Sequence, residues 1–159
     1  MRDRLRMLTH IGSVGKGIRH HGDYHLGQAL WTKDGDWLVL DFEGEPARSV
    51  PERRRKRSPL RDVAGMLRSF AYAASASKLQ RGVEPPPRWE EECRSEFLEG
   101  YLATVDATLL PAGEQAIERL LTVFELEKAV YELRYELNNR PDWVGIPVAG
   151  IQRMLEAEL

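Results

Sequence analysis

Apolar residues recur along this chain in two rhythms, and the longest stretch follows a helical period. Leu60, Val63, Ala64, Leu67, Phe70, Ala71 and Ala74 stand at i, i+3, i+4 and i+7 spacing, which predicts a core-facing amphipathic helix about 20 residues long. Ser58-Pro59 before it supply an N-cap hydroxyl and a proline at the first helical position, with Asp62 in the first turn. Residues 75–87 loosen into a loop ending in three prolines. Trp89, Cys93, Phe97, Tyr101 and Val105 then return every fourth residue up to Leu109, predicting a second helix whose aromatics, confined to one stripe, read as core rather than as a ligand cage. After Pro111-Ala112-Gly113, residues 114–139 carry Ile117, Leu120, Leu121 and Phe124 on one helical face, a pattern shared by one bent helix and by two. Pro141 ends the run by disfavouring the α conformation at Arg140, and a short helix over residues 147–155 closes the chain with Ile151, Met154 and Leu155.

The second rhythm is strand-like. Ala29-Leu30-Trp31-Thr32 and Trp37-Leu38-Val39-Leu40 read as paired strands joined through Lys33-Asp34-Gly35-Asp36, where Asp-Gly supplies the positive φ of a tight hairpin. Asp41 therefore leaves a strand end. Upstream, Leu5 and Leu8 predict a short helix over residues 2–9, stopped by Gly12-Ser13-Val14-Gly15-Lys16-Gly17. That glycine run fails the phosphate-loop pattern and follows no apolar strand, so it reads as a connecting loop. Residues 46–51 form a linker into Arg53-Arg54-Arg55-Lys56-Arg57, which lacks interleaved aromatics and reads as a solvated surface segment. The fold class expected is α+β, mainly α-helical, with one small hairpin.

Composition narrows the function classes. At 159 residues the chain is expected to be a single domain, 1–159, with a real core. A formal net charge of −2 offers no global attraction to nucleic acid or membrane, and no apolar run approaches a bilayer span. The lone Cys93 cannot form an internal disulfide and is expected to be a buried thiol in a reducing, cytoplasmic setting.

The candidate chemistry lies in Arg19-His20-His21-Gly22-Asp23-Tyr24-His25-Leu26-Gly27-Gln28, followed by Asp41-Phe42-Glu43-Gly44-Glu45-Pro46. Phosphoryl transfer needs a carboxylate to orient the acceptor hydroxyl and oxygen ligands to hold Mg²⁺ against the nucleotide phosphates. Asp23, Gln28 and Asp41 can supply all three. Their order follows the kinase pattern His-Arg-Asp-x-x-x-x-Asn with a metal-binding Asp at the next strand's end.

On His21-Gly22-Asp23-x-His25, the sequence resembles the kinases related to aminoglycoside and choline phosphotransferases. Gln28 in place of the usual Asn, the Asp-Phe-Glu-Gly-Glu-Pro block, Ser58 to Phe70, and Phe124 to Trp143 make it look most like the maltokinases, including the kinase domain fused to bacterial trehalose synthases. The resemblance implies the C-terminal lobe of a protein-kinase-like fold that uses ATP and Mg²⁺ to convert maltose to maltose 1-phosphate in trehalose and α-glucan metabolism. By the same resemblance Asp23 is the catalytic base, Gln28 and Asp41 are metal ligands, Asp62 braces the catalytic loop, and His21 and His25 are structural support.

Lys128, Glu132, Glu136 and Arg140 share one helical face at four-residue spacing, opposite a stripe of Leu126, Val130, Leu133 and Leu137. Alone this reads as a salt-bridged surface. The resemblance instead makes Lys128, Glu132 and Arg140 the sugar site, with Tyr131, Tyr135 and Trp143 as unranked candidates to cover a sugar face. Only about 20 residues precede the catalytic loop, so the expectation is a lobe without its N-terminal nucleotide-binding partner. Such a lobe would have little activity alone. It would pair with trehalose synthase, with a separate N-terminal lobe, or with another copy of itself. The alternatives are a non-catalytic sugar-binding or scaffold module, or another small-molecule kinase of the aminoglycoside and choline phosphotransferase family.

Overall fold

The computed structural model describes residues 15–46 and 48–156. The helix expected over residues 2–9 and the start of the glycine-rich loop lie outside these. In the described chain the order is a 3-10 turn Leu26–Gln28, β1 (Ala29–Trp31), β2 (Trp37–Val39), α1 (Val50–Arg53), α2 (Leu60–Arg81), α3 (Trp89–Thr104), α4 (Glu114–Asn139) and α5 (Gly145–Glu156), with 3-10 turns at Ala107–Leu109 and Pro141–Trp143.

β1 and β2 form an antiparallel hairpin with Ala29 opposite Val39 and Trp31 opposite Trp37. The turn closes through Thr32 N to Asp36 O at 2.8 Å, and Gly35 takes φ of 80° there. One further rung, Leu40 N to Gln28 O at 2.9 Å, holds the two strand ends together on the side of the loop over residues 21–28. The hairpin is solvent-facing: Trp31 and Trp37, 62% and 60% exposed, meet edge-to-face at 5.1 Å.

The helices carry the core. Leu60, Val63, Ala64 and Leu67 of α2 pack with Leu120 and Leu121 of α4, flanked by Phe97, Leu98 and Tyr101 of α3. Phe70 meets Trp89 and Phe97 edge-to-face. Arg61 pairs with Glu127, Arg68 with Glu132, and Tyr72 with Glu136. These pairs advance together, so α2 and α4 run in the same direction.

Several boundaries differ from the sequence reading. α2 continues to Arg81, where Gly82 at φ 63° caps it in the left-handed region, because Ser75 to Arg81 contains no helix breaker. α3 stops at Thr104, and Asp106 caps the 3-10 turn that follows. Residues 114–139 form one continuous helix. The linker over residues 46–51 gives way to the short α1, where the Ser49 amide and hydroxyl both donate to Glu52 Oε2.

The basic run is less free than a solvated segment. Arg57 exchanges backbone hydrogen bonds with Ile18 at 2.9 and 3.0 Å, and Arg53 Nη1 donates to Glu43 O at 3.1 Å. Cys93 is half-buried rather than buried, with its thiol pushed up by burial and by Glu92. The stripe expected inside α4 is also reversed at its C-terminal end. Val130 and Leu137 are exposed, while Glu125, Ala129 and Glu136 are buried, because each of these carboxylates meets an arginine.

Candidate active site

The loop from His21 to Gln28 is fastened along one face of α2. Asp62 accepts the His21 amide at 2.6 Å on Oδ2 and the Gly22 amide at 2.9 Å on Oδ1. One turn on, Gly65 leaves room for the loop: a β-carbon there would stand 2.7 Å from the Tyr24 carbonyl oxygen. A further turn on, Ser69 Oγ accepts the Leu26 amide at 3.0 Å. Positions 62, 65 and 69 share a helical face, so the helix acts as a rail for the loop.

His21 is buried inside this arrangement. Its Nε2 lies 2.6 Å from the Leu40 carbonyl and its Nδ1 accepts the Asp23 amide at 3.3 Å, which makes Nε2 the protonated nitrogen. Its ring packs against Phe42 and Tyr24 at 4.8 and 5.5 Å. His25 accepts the Gly27 amide on Nδ1 and turns Nε2 toward Asp23 Oδ2 at 3.9 Å. Burial pushes its imidazole below the ordinary value, only partly offset by Asp23, so the ring is neutral near pH 7.

Gln28 and Asp41 meet across the strand ends, with Gln28 Nε2 donating to Asp41 Oδ2 at 3.1 Å. Asp41 has φ of 59°, a left-handed conformation that Asp tolerates better than most residues and that turns the chain immediately beyond β2. Among the described residues no cluster of three or more His, Cys, Asp and Glu could hold a metal. An amide and a carboxylate nevertheless suit Mg²⁺, which keeps waters and takes phosphate oxygens for its remaining positions. With the Gln28 amide turned over, Oε1 and Asp41 Oδ2 give two adjacent oxygen donors.

A cavity of about 510 Å³ opens beside this loop, lined among others by Asp23, His25, Tyr72, Lys128, Tyr131, Glu132, Tyr135, Glu136 and Arg140. It gathers all the acceptor-site candidates except Trp143, whose ring lies 4.3 Å from the Arg140 guanidinium carbon and 5.9 Å from the Tyr72 ring. The charged groups are engaged within the wall. Lys128 Nζ reaches Asp23 Oδ1 at 2.9 Å and Glu45 Oε1 at 2.6 Å. Glu132 Oε2 accepts from the buried Arg68 at 2.6 Å. Arg140 clamps Glu136 through Nε at 2.9 Å and Nη2 at 2.7 Å, and Tyr72 donates to the same carboxylate.

Burial drives the titration of this wall. It pushes the Glu132 carboxyl above the usual range, with Arg68 only partly offsetting it. It also raises the Tyr72 phenol, reinforced by Glu136. For Lys128 burial pulls the other way, but Glu45 and Asp23 together outweigh it and hold the ammonium above its ordinary value. Sequence reading missed Glu45, Gly65, Arg68, Ser69 and Tyr72. The spacing of Gly65 and Ser69 from Asp62 was the available signal; Arg68 had none, since Glu132 lies 64 residues on, and the link from Glu45 to Lys128 spans 83.

The fold is α+β and mainly helical, of the protein-kinase-like, aminoglycoside-phosphotransferase-like architecture. Structural similarity to a glucosamine kinase in complex with glucosamine, ADP and inorganic phosphate has a TM-score of 0.74 at 29% identity, covering 87% of this chain and 35% of that one. A second crystal form of glucosamine kinase gives a TM-score of 0.73 at 28% identity over 87% of this chain and 34% of that one. In sequence the chain is 30% identical over 142 residues to the glucosamine kinase of Streptacidiphilus jiangxiensis, covering 87% of this chain and 32% of the relative. It is 26% identical over 140 residues to that of Mycolicibacterium smegmatis, covering 86% and 34%. The chain thus spans about a third of the length of these relatives. No family model matches it.

These similarities overturn the maltokinase resemblance, and with it maltose, maltose 1-phosphate, α-glucan metabolism and a trehalose synthase partner. The physical reason lies in which residues carried that reading. The His-Gly-Asp loop, the Asp-Phe segment and Asp62 follow the kinase pattern at large and single out no acceptor. Lys128, Glu132 and Arg140, which pointed to maltose, are bound to carboxylates and an arginine of the chain itself. Among the described residues no helix is long and apolar enough to cross a membrane.

Proposed function

We propose that this chain is the acceptor-binding, base-carrying lobe of a kinase that transfers phosphate from ATP to a hydroxyl of an amino sugar, with glucosamine as the acceptor. One observation carries the reading: the Asp23 carboxylate, whose Oδ1 alone is taken by Lys128, opens into a cavity of about 510 Å³ whose wall adds the Tyr72, Tyr131 and Tyr135 rings. A carboxylate suits an ammonium or a hydroxyl, and aromatic rings suit an apolar sugar face. The names of the relatives, and the glucosamine, ADP and phosphate held by one of them, support the same acceptor and donor.

In this reading Asp23 orients the acceptor hydroxyl and takes its proton on Oδ2, while Lys128 holds Oδ1. Gln28 and Asp41 would hold Mg²⁺, which would supply positive charge to offset the charge that builds during transfer. Asp62, Gly65 and Ser69 keep Asp23 in register by fixing the loop backbone.

Calorimetric titration with glucosamine, N-acetylglucosamine and maltose tests the acceptor. Glucosamine is expected to bind and the other two are not, because acetylation removes the ammonium and a disaccharide presents none. Binding of maltose in preference to glucosamine would reverse the reading. Asp23→Asn should retain glucosamine binding and lose at least about 100-fold in phosphate transfer, the scale of a general base.

A further inference from the structure

We propose that Glu45 is a positioning residue for Asp23, acting through Lys128; this rests on Asp23 being the base of the transfer described above. Glu45 sits four residues beyond Asp41 in a turn closed by Arg48 N to Glu45 O at 3.0 Å. Its side chain is 3% exposed, and both of its oxygens are engaged. Oε1 accepts from Lys128 Nζ at 2.6 Å and Oε2 from Arg48 Nε at 2.6 Å. Lys128 in turn reaches Asp23 Oδ1 at 2.9 Å and lies 4.9 Å from the Tyr131 ring centroid. The result is a chain of alternating charge, Arg48, Glu45, Lys128 and Asp23, linking the segment after β2, helix α4 and the catalytic loop.

A lysine is a compact charge on a flexible stem, so a single carboxylate leaves it many geometries. Glu45 removes that freedom. With the ammonium held from behind, only one Asp23 oxygen is occupied, and Oδ2 is left on the side of His25 Nε2, 3.9 Å away. Glu45 also shares the lysine charge. Without it the whole ammonium would fall to Asp23 and draw the carboxylate toward Lys128. A buried carboxylate that touches no acceptor thereby sets the place of one that does.

The test is Glu45→Gln, near in size but uncharged, in the full chain. Lysine side chains labelled with ¹⁵N give the first readout. The wild type should show one slowly exchanging ammonium resonance, absent from Lys128→Met, and Glu45→Gln should broaden or lose it. Phosphate transfer from ATP to glucosamine gives the second. kcat should fall roughly 10- to 100-fold with KM changed less than about twofold, the signature of a group misplaced in the transition state alone. Glu45→Asp should recover part of the loss.

A purely structural role would instead lower activity only as far as the folded fraction falls, read by circular dichroism. If Glu45→Gln does not fold, Arg48→Ala releases the other oxygen of Glu45 and should show the same kcat loss in smaller measure. An unchanged ammonium resonance or an unchanged kcat in a folded variant overturns the proposal. Where the wild-type chain, about a third of its relatives' length, gives no turnover, glucosamine binding decides the acceptor and the resonance decides the role of Glu45.

Discussion

The two ends of the α2–α4 contact are built on opposite principles. At the N-terminal end Leu60, Val63, Ala64 and Leu67 face Leu120 and Leu121, an apolar core held by burial. Further along, the same two helices face each other through Arg68 with Glu132 and Tyr72 with Glu136, groups drawn into the interior only as partners. The apolar end tolerates change gradually, whereas the ionic end makes each group depend on another. The cavity opens beside the ionic end, so the same groups that hold the helices together also shape the wall around Asp23.

Breaking a single ionic partner should give the largest effect. Arg68→Met leaves Glu132 buried without its cation and is expected to cost about 3–5 kcal/mol in urea unfolding. Replacing both, Arg68→Met with Glu132→Leu, should recover most of that loss; a double variant as unstable as the single one would show that the guanidinium matters by shape rather than charge. Gly150 supports the first outcome, since a β-carbon there would stand 2.4 Å from Arg68 Nη1 and space is built specifically for this side chain.

At the apolar end Leu67→Ala should cost about 2–4 kcal/mol through lost burial and a residual cavity, with the denaturant slope unchanged. Gly65→Ala pushes against the Tyr24 carbonyl and should cost about 1–3 kcal/mol, with faster amide exchange concentrated in residues 21–28. If that exchange rises uniformly over the chain instead, the rail between α2 and the loop is not a local device. Ser69→Ala, which frees the Leu26 amide, should cost about 1 kcal/mol.

Lys128 gives the smallest effect near neutrality and a defined sign above it. Its folded value is raised over the unfolded one, so its ion pairs stabilise the fold fully below the ordinary lysine range and stop doing so as pH rises through the folded value. Thermal unfolding followed from neutral to strongly alkaline pH should show this loss in the wild type and not in Lys128→Met. A loss already present at neutral pH would contradict the raised value.

The sequence reading located the helices because their apolar periods are local, and it failed where the interior is charged. Glu125, Glu132 and Glu136 look like solvent positions until Arg94, Arg68 and Arg140 are brought to them, two of these pairs spanning 31 and 64 residues. It read Leu126, Val130, Leu133 and Leu137 as a stripe of their own, yet Val130 and Leu137 face solvent. The loop was legible as a candidate because its spacing matches the kinase pattern, and Asp62 fastens its backbone to α2. The acceptor was misread because maltose rested on a resemblance to maltokinases, while the chain is similar to glucosamine kinases.

By itself, then, the sequence determined the helices, the hairpin and the loop bearing Asp23, Gln28 and Asp41, all of which follow from neighbours within a few turns. Tertiary structure alone decided that Lys128, 105 residues from Asp23, would bridge it to Glu45. It also decided that the buried face of the second half of α4 is ionic. The physical reason is desolvation: a charged side chain is stable inside only beside its partner, and the fold, not the local pattern, decides where that partner lies.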